Sequence, residues 1–172
     1  MYRSRFVNLL TVLALATSAT ATGAEQEPPC GPDANYAAFD FWLGQWEVFV
    51  DGSKVGDNVI SREEGGCLLL ERWTDVQGNT GQSYNFYNPD TGLWRQVWVS
   101  RTMTIDYAGG LTDDGSMQLE GTITYFQNSQ SLPFLGRWTP LDDGSVLQYF
   151  EQLDADSGEM VPIFSAIYRS NS

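Results

Sequence analysis

The chain has 172 residues, room for one globular domain of ordinary size. Its 9 Lys and Arg against 22 Asp and Glu give a net −13, which argues against nucleic acid, and the absence of histidine removes Ser-His and Cys-His nucleophiles, His-based zinc sites and imidazole acid–base chemistry. A hydrophobic content of 42%, with 17 Gly and 7 Pro as turn material, excludes disorder and favours antiparallel β structure over a helical bundle.

Arg3 and Arg5 precede an apolar run from Phe6 to Ala16 and the small residues Ala19-Thr20-Ala21. This is the layout of a secretory signal peptide over residues 1–24, cleaved after Ala21 or Ala24. The run is about 11 residues, short of the roughly 18 that a membrane-spanning helix needs, so the mature chain 25–172 is expected to carry no span and to be periplasmic or secreted. Losing Arg3 and Arg5 takes the net charge from −13 to −15. The two cysteines, Cys30 and Cys67, both lie in the exported part, where an oxidising compartment favours a disulfide worth about 3–4 kcal/mol on the loop-entropy account. A redox pair or a lipid-anchored Cys30 are the alternatives, but Cys-x-x-Cys is absent and Glu27-Pro28-Pro29 lacks the small residues of lipoprotein processing.

Asp33 to Leu43 reads as a short helical turn ending at Gly44. Beyond it the hydrophobic period is two: Trp46, Val48 and Val50 alternate with Glu47, Phe49 and Asp51 before the turn pair Asp51-Gly52. Nine further strands are expected at about 55–64, 67–74, 81–87, 92–100, 103–108, 116–126, 135–140, 145–153 and 160–169. Asn88-Pro89-Asp90-Thr91-Gly92, Asp113-Asp114-Gly115, Asp142-Asp143-Gly144 and Asp154 to Gly158 supply turn chemistry between them. Connections this short join antiparallel neighbours, and no helical period intervenes to build a parallel sheet. An all-β, up-and-down barrel of about 8–10 strands hides every edge most simply; a β-sandwich is the alternative. Asn128-Ser129-Gln130-Ser131 reads as a loop, not a domain boundary.

Gly44-Gln45-Trp46 resembles the Gly-x-Trp signature that opens lipocalins and the wider calycin superfamily. The longer string Phe39-Asp40-Phe41-Trp42-Leu43-Gly44-Gln45-Trp46-Glu47-Val48 is more specific. Together with Gly66-Cys67-Leu68, Glu71-x-Trp73, Ser83-x-Asn85-x-Tyr87-Asn88, Gly92-x-Trp94-x-Gln96-x-Trp98-Val99 and Tyr168-Arg169, it is similar to a group of exported bacterial lipocalin-like proteins of unknown function, over Cys30 to Arg169. The resemblance implies a barrel plugged at one end by the N-terminal turn. It also implies a structural stacking of Arg169 on Trp46, as the last-strand Arg does in lipocalins.

Trp94, Gln96, Trp98 and Ser100 share one strand face, and Tyr84 and Phe86 alternate with Ser83, Asn85 and Tyr87 on the strand before. Small-molecule pockets combine aromatic walls with a few polar groups, so Trp73, Asn85, Trp94, Gln96, Trp98, Tyr125 and Glu151 are the candidate lining of a ligand-binding lumen. Tyr149 and Trp138 offer further ring surface, and the competing expectation is that the rings simply fill the barrel. Glu71 shares a face with Trp73, and Glu151 with Tyr149. A buried Glu beside a Tyr suits general acid or base work, although an ion pair with Arg72, Arg95, Arg137 or Arg169 is the expected use of such a group. Asp154-x-Asp156-x-Gly158-Glu159 resembles part of a calcium loop but lacks its full spacing, and a plain hairpin turn is expected.

The reading that follows is an exported barrel that binds a small hydrophobic or aromatic molecule, with no catalytic residue, metal or cofactor assigned and no oligomeric state indicated. The alternatives are a calycin-fold isomerase or lyase working through buried Glu and Tyr, and a packed barrel acting through its surface in the envelope.

Overall fold

The computed structural model describes Cys30 and residues 33–171. The signal peptide expected over residues 1–24 lies outside them. Ten antiparallel strands follow one another: β1 (Gly44–Val50), β2 (Ser53–Glu63), β3 (Leu68–Asp75), β4 (Thr80–Asn88), β5 (Leu93–Ser100), β6 (Met103–Leu111), β7 (Met117–Tyr125), β8 (Gln130–Pro140), β9 (Val146–Leu153) and β10 (Met160–Ser170). Each pairs with its sequence neighbours, and β10 returns to β1 with Trp46 opposite Ser170, so a single sheet closes on itself. The sandwich alternative is thereby excluded. Among the described residues no helix is long and apolar enough to cross a membrane.

Local chemistry sets the turns. Asp51 and Gly52 take φ of 49° and 78°, the two left-handed residues that a tight hairpin twisting with its strands requires. In the β9–β10 turn the Asp154 carboxylate accepts hydrogen bonds from the backbone N–H of Asp156 and Ser157 at 3.1 and 2.7 Å. That is Asx-turn geometry, the expected hairpin in place of a cation loop. Strand β8 starts at Gln130, five residues before the expected Leu135, because Gln130 to Pro133 pair with β7 alone: Phe134 opposite Gln152 begins the pairing with β9. Pro133, which has no N–H to give, therefore sits where no second neighbour asks for one.

The N-terminal turn plugs one end. Phe39 and Trp42, the latter in a 3₁₀ turn over Asp40–Trp42, are fully buried and pack with Trp94 and Trp138 in a cluster of rings 4.9–5.7 Å apart. Trp46 Nε1 donates to the Trp42 carbonyl and Trp94 Nε1 to that of Asn35, both at 2.9 Å. Asp40 pairs with Arg62, whose guanidinium also donates to the Gly66 carbonyl. The disulfide joins Cys30 to Cys67 across 5.0 Å between Cα atoms, tying the segment ahead of the plug to the β2–β3 connection. Intact mass of the unreduced protein should show no alkylatable thiol; finding two would contradict the bridge.

The expected stack of Arg169 on Trp46 is not formed. Tyr168 points inward and packs edge-on against Trp46 at 6.3 Å, so the pleat sends the next residue, Arg169, to the outer face. There its guanidinium lies 5.0 Å over the ring of Phe49.

Candidate functional site

The barrel interior changes character along its axis. Above the plug a belt of polar side chains crosses the lumen, and above that the barrel opens into an aromatic-walled cavity of about 540 Å³. Glu71, Gln96, Tyr107, Gln148 and Tyr168 form a polar floor and Trp73, Trp98, Ile105, Ile123, Phe134, Phe150 and Phe164 an apolar wall, while Asp75, Asn79, Thr80, Ser100, Arg101 and Thr102 add further polar groups to the lining. The rings therefore do two jobs: those at the plugged end fill the barrel, and those at the open end surround space.

Two glycines explain why the tryptophans at the mouth leave that space. Trp73 on β3 stands opposite Gly81 on β4, and its own ring lies against Gly56 on β2; the ring of Trp98 on β5 lies against Gly81. A Cβ at Gly56 would meet the Trp73 ring at 2.5 Å, and one at Gly81 would fall inside the van der Waals envelope of Trp98. Each indole thus lies along the wall over a neighbouring glycine. Gly81→Ala is expected to displace the Trp98 ring into the lumen and to cost about 1–3 kcal/mol through overpacking. Tryptophan emission and a urea titration check this; an unchanged spectrum and midpoint would show that the ring is not seated there.

The belt is one connected network. Asn58 Nδ2 donates to Glu71 Oε1 at 2.7 Å and Ser83 Oγ to Glu71 Oε2 at 2.5 Å. Asn85 Nδ2 donates to Ser83 Oγ at 2.8 Å and to the Leu69 carbonyl at 3.1 Å. Gln96 Nε2 donates to Asn85 Oδ1, and the Tyr107 hydroxyl donates to Gln96 Oε1. On the far side the Tyr168 hydroxyl donates to Gln148 Oε1 at 2.6 Å. Asn58 Oδ1 is buried with no donor, so the belt is short of protons rather than of acceptors.

Glu71 is 3% exposed. Burial pushes its carboxyl up to about 7, against the opposing pull of the Ser83 and Asn58 hydrogen bonds. Burial, and then the Glu71 carboxylate, hold the hydroxyls of Tyr107 and Tyr168 well above the usual tyrosine range. Among the described residues no arginine pairs with Glu71. Of the four expected partners, Arg72 reaches Ser61, Arg95 pairs with Asp106, Arg137 pairs with Asp114 and Arg169 covers Phe49, all on the outer face. Inward positions alternate with these, so the pleat separates them from the carboxylate.

Of the candidate lining, Trp73, Gln96 and Trp98 line the cavity. Asn85 is buried one step behind Gln96, and Trp94 belongs to the plug. Tyr125 faces inward at the rim, where its hydroxyl donates to Gln152 at 2.6 Å. Glu151 is not in the lumen: Gln148 and Phe150 take the inward positions of β9, and Glu151 accepts from the Tyr149 hydroxyl at 2.8 Å on the outside. Glu71, beside Trp73 on the inward face of β3, belongs to the site, and Tyr107, Gln148 and Tyr168 join it. Ile105 and Tyr107 share one face of β6, alternating with Asp106, and Tyr107 stands opposite Gln96; that phase is the signal that places Tyr107 inward.

Among the described residues no three His, Cys, Asp or Glu side chains gather as a metal ion would need. The site is an aromatic pocket with a hydrogen-bonded polar floor and one buried acid. Compared with known protein families and with curated proteins, the sequence matches none, and the geometry of the lumen stands as the guide to what the chain does.

Proposed function

We propose that this is an exported, lipocalin-like barrel that binds a small hydrophobic or aromatic molecule in its lumen. The observation that carries the reading is the cavity of about 540 Å³, open at one end, walled by Trp73, Trp98, Phe150 and Phe164 and floored by a hydrogen-bonded belt. That combination of apolar wall and few placed polar groups, at a volume within the usual range for ligand sites, is what small-molecule recognition requires. The Cys30–Cys67 bridge supports export, since disulfides persist in oxidising compartments.

Native mass spectrometry of the protein from an exporting host, before and after solvent extraction, tests the reading together with titration of the extracted protein with a neutral alkylbenzene. An extractable adduct of a few hundred daltons, or saturable one-to-one binding that Gly81→Ala weakens, is the expected result. A bare mass with no saturable binding would overturn it in favour of a barrel working through its outer surface.

A further inference from the structure

Resting on the lumen-binding reading, we infer that the ligand is a lipophilic amine: an aryl or alkyl body against the aromatic wall, with a protonated basic nitrogen seated at the Glu71 carboxyl. The inference starts from a missing counter-ion. An ionised carboxylate out of water needs a cation or a full set of donors. Every cation that the sequence expects to serve it is engaged on the outer face, as is Lys54, with Glu47 and Asp57; Arg62, in phase with Asn58 and Ile60 on β2, is held at the plugged end by Asp40 and the Gly66 carbonyl. Among the described residues the one cation that borders the cavity is Arg101, which follows β5 at the mouth, above the belt.

The belt leaves room for a donor at Glu71. Each carboxylate oxygen accepts two hydrogen bonds, and each receives one, from Asn58 and Ser83. The hydroxyl protons of Tyr107 and Tyr168 are committed to the Gln96 and Gln148 carbonyls and do not neutralise the acid. An ammonium supplies donors and positive charge together, and charge-assisted bonds of this kind are about twice as strong as neutral ones. The indole and phenyl faces of Trp73, Trp98, Phe150 and Phe164 suit the rest of such a molecule and favour its charge on approach. The net −13 of the chain draws cations toward the mouth and repels carboxylate ligands.

The nearest competing occupant is a neutral hydrocarbon of the same shape, and proton linkage separates the two by sign. Closing the lumen with a hydrocarbon removes the last water from Glu71 and drives the carboxyl to take up a proton. Seating an ammonium there favours the carboxylate and releases that proton to the buffer. The groups facing Glu71 from the other strands are Asn58, Ser83, Gln96 and Gln148, which do not titrate, and Tyr107 and Tyr168, which stay neutral; Asp75 and Arg101 lie at the mouth.

The test is calorimetric titration of the whole mature protein with 4-phenylbutylamine and with its neutral isostere pentylbenzene, at about pH 8 and about pH 5, in buffers of differing ionisation enthalpy. The amine should bind at least about tenfold more tightly than the isostere at about pH 8, lose that preference at about pH 5, and release protons where the isostere takes them up. Glu71→Gln should abolish the preference while still binding pentylbenzene, which also shows that the variant is folded. If that variant fails to fold, the sign of proton linkage in the wild-type protein decides. Equal affinities with both compounds bound would overturn the inference and leave the lumen reading standing. Binding of neither would overturn both.

Discussion

Glu71→Gln is expected to stabilise the barrel by about 3 kcal/mol at pH 8 and to change its stability little near pH 4. The carboxyl titrates from an ordinary value of 4.5 in the unfolded chain to about 7 in the folded one, because it is buried without a counter-ion. Between those two values the folded state holds more protons than the unfolded state, so stability falls as pH rises and levels off above about 7. The amide carries no charge to desolvate. Its nitrogen can face Ser83, whose hydroxyl accepts as readily as it donates, and its oxygen can keep the bond from Asn58. Five acids act in a different window: Asp106, paired with Arg95, and Asp75, Asp114, Asp143 and Asp154 in turns are held below the usual carboxylate range, so their stabilisation is lost only in stronger acid. Urea titrations from about pH 4 to pH 9 on both proteins check this. Parallel stability curves for the two would show that Glu71 is not a buried, unpaired acid.

The same residue shows where sequence reasoning stops. All ten strands were legible, because turns rich in Gly, Asp and Asn punctuate a period of two, and closure followed from the need to hide edges. The inward phase of β5 was legible too, since Trp94, Gln96 and Trp98 contrast with Arg95 between them. On β9 the contrast disappears: Gln148, Phe150 and Gln152 on one face and Tyr149 and Glu151 on the other each mix a ring with polar groups, and only pairing with Gly136 and Trp138 fixes which is inside. Placing Glu151 in the lumen was the cost of that ambiguity. Glu71 was placed beside Trp73 correctly, yet its lack of a cation depends on all four candidate arginines landing on the opposite phase, a property of register across the whole barrel. The Phe39 to Val48 string, the most specific in the sequence, builds the plug and opens β1, with Phe39 and Trp42 buried in the plug and Asp40 holding Arg62. The cavity was the least legible feature. It depends on where two indoles lie relative to Gly56 and Gly81, and residues on neighbouring strands set that, not spacing within one.

Trp138→Ala is expected to cost about 3 kcal/mol, at the lower end of the 3–5 typical of a large aromatic lost from a core. Trp138 is fully buried and separates the two halves of the interior: it packs on Phe39 and Trp42 of the plug below and on Tyr107 and Phe150 of the cavity wall above, with ring centroids 5.2–6.1 Å away. Removing the indole deletes these contacts and leaves a void that rigid strands cannot collapse to fill. The discount has a specific source. The Trp138 Nε1–H is buried without a partner, so its removal also relieves an unsatisfied donor. Trp138→Phe should therefore recover much of the loss, keeping ring contacts without the orphan N–H. The void in Trp138→Ala joins the lumen to the plug, so added indole should raise the melting temperature of that variant in a concentration-dependent way, as any ligand selective for the folded state does. The contrast is with the mouth, where Trp98 is only half-buried and truncation should cost less. If Trp138→Ala loses no more stability than Trp98→Ala, or if indole protects both equally, the plugged end is not the packed foundation on which the open cavity stands.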